Sequence, residues 1–120
     1  YVQYAYVRIN GLVKRAEKEG IDLSPAFAYR DIQPAERDLL QQLYQWPAVL
    51  QQAGAQYDPS EVANFCYALA KAYSKLWHDL PVFNAPDPAA KAFRLTLSRA
   101  TGKVLKFGMD LLGIQMPEKM

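Results

Sequence analysis

With 120 residues, a net charge of +2 and 51% apolar residues, the chain is long enough for one domain with a core of its own. A single cysteine, Cys66, excludes an internal disulfide and a paired-cysteine metal framework, and points to a reducing compartment. No apolar run reaches the length of a membrane span, no signal-peptide pattern opens the chain, and a charge this small does not by itself argue for nucleic acid. The opening YVQYAYVRING lacks an initiator Met and is helically periodic from the start, which reads as a domain excised in or just before a helix. Val2, Ala5, Ile9, Leu12, Val13 and Ala16 recur at spacings of three and four, so they form one helical face, and Gly20 is a suitable stop. Tyr1, Tyr4, Arg8, Gly11 and Arg15 form an adjacent stripe, while Tyr6 falls on the core side.

IDLSPAFAYRDIQ has no clear period and reads as a connection. Pro34 suits the first position of a second helix, with Leu39, Leu40, Leu43 and Tyr44 as its buried face. Pro47 predicts a kink or break at Trp46, followed by a shorter segment bearing Val49, Leu50 and Ala53. Asp58-Pro59-Ser60-Glu61 is close to a capping box and announces a long helix whose stripe is Val62, Phe65, Cys66, Leu69, Tyr73, Leu76 and Leu80, ended by Pro81. Asp87-Pro88 repeats the signal before a last helix with a heptad-like seam of Phe93, Leu97, Ala100, Val104, Phe107 and Leu111. Gly102 and Gly108 weaken that helix by about 1 kcal/mol each, so either tertiary packing holds it or a close neighbour needs the space. Gly113 ends it. The expected fold is all-α, a bundle of four to five helices.

Chemistry is sparse. The single histidine, His78, has no partner with which to share a metal, Cys66 sits in a helix core where a thiol is inert, and the six glycines are scattered rather than gathered into a phosphate loop. Asp79 beside His78 points elsewhere on its helix, which leaves no defensible acid–base pair and a fragment that reads as non-enzymatic. Two features remain. Taken singly, each ring among Tyr1, Tyr4, Trp77, His78 and Phe83 is explained by burial in the core, but as a set clustered at helix ends beside basic residues they also suit a platform for unstacked RNA bases. Between Pro88 and Gly113, Lys91, Arg94, Arg99, Lys103 and Lys106 face one acid, Asp110; by charge alone they are a solvated face, and Arg94, Arg99, Lys103 and Lys106 are the candidates for phosphate contact. The rival reading from another class is a protein–protein interaction module in which the same rings form an exposed apolar patch.

The strings YVQYAYVRI, SEVANFCYALAKAYSKLWHDLPV and RLTLSRATGKVLKFGMDLLGIQMPEKM, in that order and spanning nearly the whole chain, resemble the C-terminal anticodon-binding (DALR-type) domain of arginyl-tRNA synthetases. The resemblance implies that residues 1–120 are an anticodon-binding helical bundle whose catalytic nucleotide-binding domain lies N-terminal and acts with it in cis. A chain whose only histidine is His78 cannot hold the paired-histidine signature of a class I active site, so catalytic residues, cofactor and metal are expected to be absent from it. The parent implied is a monomeric cytoplasmic ligase that uses ATP with magnesium to attach L-arginine to its tRNA, this domain gripping the anticodon stem-loop.

Carried over by position, Tyr1 and Tyr4 match tyrosines lying against anticodon-loop bases, and Arg8 matches an arginine whose backbone surroundings help read the central base. Trp77 looks like a stacking site and Met120 matches a closing methionine near the anticodon. The chain departs from the family in having Ala100-Thr101-Gly102 where Ala-Thr-Arg is common, Tyr6 where histidine is common, and no literal Asp-Ala-Leu-Arg string.

Overall fold

The computed structural model describes residues 2–56 and 59–113. Tyr1, the Asp58 cap and Met120 lie outside these residues, as do the contacts expected of them. Five α-helices follow one another among the described residues: α1 (Val2–Lys18), α2 (Pro34–Tyr44), α3 (Trp46–Gln56), α4 (Pro59–Asp79) and α5 (Pro88–Leu111), with a 3₁₀ turn over Ser24–Ala28 between α1 and α2. No strand occurs among them, which is the all-α architecture expected. α4 and α5 form the axis, and every other element packs on at least one of them.

Side-chain periodicity builds the core directly. Ala5, Ile9 and Leu12 of α1 meet Phe65, Cys66, Leu69, Tyr73 and Leu76 of α4 and Leu95 and Leu105 of α5 in one continuous cluster. α1 ends in a Schellman motif: Gly20 takes a left-handed φ of 65°, its N–H donates to the Glu17 carbonyl at 3.1 Å, and the Ile21 N–H donates to the Ala16 carbonyl at 3.0 Å. α5 starts as its sequence requires, with the Asp87 carboxylate accepting the Ala89 N–H at 3.0 Å and Pro88 in the first turn.

The stretch between α1 and α2 is the connection expected, and it holds one short element: the Asp22 carboxylate accepts both the N–H (3.0 Å) and the hydroxyl of Ser24, and with Pro25 this seeds the 3₁₀ turn. Three expectations need correction. On α2 the buried stripe is Ala35, Glu36 and Leu39; Leu40 is exposed and Tyr44 is 85% exposed, because they stand on the next stripe round the helix. The break falls at Gln45, and Pro47, in the first turn where its missing N–H costs nothing, starts a helix as long as α2 instead of interrupting one. On α5 the expected seam holds in part: Leu97 is buried and Phe93 and Val104 pack on the core, but Arg94, Leu95, Ser98, Thr101, Gly102, Leu105, Gly108 and Met109 are buried too, while Phe107 and Leu111 are about half exposed. Hydrophobicity traced only part of this buried face because several of its contact positions are small or polar. Ser98 and Thr101 satisfy themselves by donating to the carbonyls of Arg94 and Leu97 at 2.8 and 2.7 Å, and the Tyr73 hydroxyl, 2.8 Å from Ser98 Oγ, is left as donor to that oxygen.

The glycines in that seam let its neighbours close in. A Cβ on Gly102 would stand 2.8 Å from Ile9 Cγ2, and one on Gly108 would stand 2.5 Å from Cys66 Sγ. Gly108→Ala is therefore expected to lower stability by about 1–3 kcal/mol, despite its better helix propensity, and to lose less in a Cys66→Ala background that removes the colliding sulfur. Chemical denaturation of the four variants of this cycle measures the coupling.

Candidate nucleic-acid interface

Each residue of α1 turns the helix by about 100°, so the stripe Ala5, Ile9, Leu12 and Ala16 that faces the core has two flanks about 100° to either side. One flank carries Tyr4, Arg8 and Arg15; the other carries Tyr6, Asn10, Val13 and Glu17. Each flank borders a different groove.

On the first flank, Tyr4 is 60% exposed and the Arg8 guanidinium lies 5.6 Å from its ring centre and 4.9 Å from that of Trp77, joining α1 to the end of α4. Trp77 is half-buried, with the sealed Tyr73 ring 6.4 Å behind it. One helical turn beyond Leu12, the Arg15 guanidinium sits 3.8 Å from the centre of the Phe83 ring, and Lys91 Nζ of α5 lies 4.4 Å from the same centre. Between Trp77 and Phe83 opens a cleft of about 330 Å³ walled by Leu12, Arg15, Pro81 and both rings. Tyr4, Arg8, Trp77, Arg15, Phe83 and Lys91 thus form one strip of alternating rings and cations. Such contacts hold flat faces in place at roughly 0.5–1 kcal/mol each when exposed.

On the second flank, Arg99, Lys103 and Lys106 of α5 line a groove of about 230 Å³ with Tyr6, Asn10 and Glu17. Lys106 also has Asp110 at 3.5 Å, an exposed pair of little energetic weight. Gly102 and Ile9 also line it, at the point where α1 closes on the bare backbone of α5.

The sequence-predicted residues therefore divide. Tyr4, Arg8, Trp77 and Phe83 come together on the strip, and Arg99, Lys103 and Lys106 come together in the groove. His78 is exposed and does not line the cleft. Arg94 is not available to a phosphate: it is 7% exposed, its Nε donates to Glu36 at 2.8 Å and its Nη1 donates to the Pro81 carbonyl at 2.6 Å. A buried carboxylate claims it, and that partner, 58 positions away, leaves no local trace in the sequence. Arg15 and Lys91 were missed as site residues. The signal for Arg15 was present, since it stands seven residues after Arg8 on the aromatic stripe.

A family model described as the DALR anticodon binding domain matches residues 2–120. The chain belongs to this family. Among curated relatives it is 38% identical over its whole length to arginine–tRNA ligases of Phocaeicola vulgatus and Chloroflexus aggregans. It spans about a fifth of the length of each. The fold is similar to part of a solved arginyl-tRNA synthetase from Thermus thermophilus, with a TM-score of 0.82 and 28% identity over all of this chain and 21% of that one. Within this DALR domain the ring–cation strip and the basic groove flank the same helix, α1, and no group of three or more His, Cys, Asp or Glu residues able to hold a metal ion occurs among the described residues.

Proposed function

We propose that this domain recognises the anticodon stem-loop of an arginine tRNA as part of an ATP-dependent arginine–tRNA ligase. In this reading Tyr1, Tyr4 and Trp77 receive displaced anticodon-loop bases, Arg8 and neighbouring backbone groups meet base edges, and Arg99, Lys103 and Lys106 hold phosphates, with Met120 closing against the anticodon. ATP with magnesium and L-arginine belong to the catalytic domain acting in cis, in a monomeric cytoplasmic enzyme; this chain's own residues bind and orient the tRNA. No helix among the described residues is long and apolar enough to cross a membrane.

The observation that carries the proposal is the Tyr4–Arg8–Trp77 arrangement, in which a planar cation lies between two rings and the second ring, Trp77, also walls a cleft large enough for one base. Sequence recognition in RNA favours unpaired loops whose bases stack on aromatic faces. Each stack contributes about 1–3 kcal/mol by alanine substitution.

The test is a titration with an anticodon stem-loop of an arginine tRNA. Trp77→Ala is expected to weaken binding by about 1–3 kcal/mol, whereas Lys71→Ala, on an exposed part of α4 against Tyr67, leaves it nearly unchanged. Equal losses in the two variants count against base stacking. Alanine at Arg99, Lys103 and Lys106 together is expected to flatten the dependence of log K on log salt by roughly 2–3. An apolar protein contact at the same rings has no such salt slope.

A further inference from the structure

The turn between α4 and α5 carries Phe83 and walls the cleft with Pro81, yet it has no regular secondary structure of its own. Val82 and Ala85 bury their side chains, and one buried guanidinium bonds to its backbone. Arg94 Nη1 donates to the Pro81 carbonyl at 2.6 Å while its Nε donates to Glu36 Oε2 at 2.8 Å. Glu36 is wholly buried and its other oxygen accepts the Tyr29 hydroxyl at 2.7 Å and the Gln33 N–H at 2.8 Å. A chain of charge-assisted bonds therefore runs from the start of α2, through α5, to the backbone of the turn. Such bonds are short and directional, so they set an orientation as well as adding attraction.

We infer that Arg94 is a positioning residue for the RNA-facing cleft: by tying the Pro81 carbonyl to the buried Glu36 carboxylate, it fixes the turn that sets Phe83 against Arg15 and Pro81 beside Trp77. The inference rests on the proposed RNA reading for its consequence but not for its structural content. Arg94 touches no RNA; it acts through the turn.

Removing Arg94 alone strands a buried charge, so the decisive variant is Glu36→Gln/Arg94→Met. The glutamine carbonyl still accepts from Tyr29 and Gln33, no ionised group is left unpaired, and the donor to Pro81 is gone. Arg94→Lys is the second variant: it keeps the charge and loses the fork that reaches two acceptors. In a Trp46→Phe background Trp77 is the only tryptophan, and its emission and iodide quenching report the cleft. We expect both variants to melt cooperatively, with Trp77 emission shifted to the red, quenching increased, and affinity for the anticodon stem-loop lowered about tenfold. Gly108→Ala, which strains the α4–α5 packing away from the turn, is expected to lower stability without moving the Trp77 signal.

Trp77 spectra identical to the parent's in Arg94→Lys, and in the double variant wherever it folds, overturn the inference. If Trp77→Ala binds the stem-loop as well as the parent, the RNA reading falls, and the Trp77 spectra still decide whether Arg94 sets the turn.

Discussion

Replacing Arg94 with methionine alone is expected to lower the unfolding free energy by about 3–5 kcal/mol, a large fraction of what a domain of this size possesses. The reason is asymmetric. Glu36 shows no exposed surface and Arg94 only 7%, so water cannot reach the carboxylate once its cation is removed. The pair as a whole contributes much less than this number, because both groups lost their hydration on folding; the cost arises from leaving one charge behind. Glu36→Gln/Arg94→Met should accordingly be far closer to the parent than Arg94→Met. Urea denaturation checks this: the midpoint should fall strongly in the single variant and recover in the double, with an unchanged slope. A recovery of less than half would mean that the bond to Pro81, not the ion pair, dominates the energetics.

The second large effect is a loss of stability in alkali. Burial pushes the Cys66 thiol up from 9.0 to about 11, and burial likewise raises the Tyr73 hydroxyl from 10.0 to about 12. Tyr29 rises to about 12 by burial and by its bond to the Glu36 carboxylate. Below about pH 8 all three are protonated in the folded and unfolded chains alike, and stability has no slope from them. Above that, the unfolded chain releases protons that the folded chain retains, so stability falls with rising pH. The fall begins near the ordinary value of each group and levels off only past its raised one. Each group contributes at most about 1.4 kcal/mol per pH unit, which sums to on the order of 3–5 kcal/mol by pH 11. Denaturant midpoints measured from pH 8 to 11 test this. Cys66→Ala should delay the onset from about pH 9 to about pH 10, since the tyrosines then act alone. The same burial predicts that iodoacetamide leaves Cys66 unmodified in the native chain at pH 8, because the thiolate is the reactive form.

Where local physics decides the outcome, the sequence was readable. Spacing of three and four placed Ile9, Leu69, Tyr73 and Leu76 in the core, and Asp87-Pro88 and Gly20 marked helix ends that the structure caps at those residues. Reading failed where long-range packing overrides composition. The α5 seam runs through Ser98, Thr101, Gly102 and Gly108, residues whose value lies in being small, while the more apolar Phe107 and Leu111 face outward. Arg94 illustrates the same limit for the site: by type and neighbours it belongs with Arg99, Lys103 and Lys106, and only the distant Glu36 removes it from them. The strip itself was legible as a stripe on α1, but its pairing with Trp77 and Phe83 depends on α1 lying against α4 and α5, which no periodicity reveals.

The two grooves open on opposite sides of α1, and the surface that separates them is a crest bearing Gln3, Val7, Lys14 and Lys18, three of them exposed and two of those positively charged. A polynucleotide that occupies both must climb over a ridge no wider than a helix, roughly 10–12 Å, and reverse its direction within a few nucleotides. A regular duplex is too stiff to make that bend over so short a span, whereas a hairpin tip is already folded back on itself. In the proposed RNA reading, the placement of that one helix would favour tightly curved nucleic acid over a straight duplex, before any base is touched.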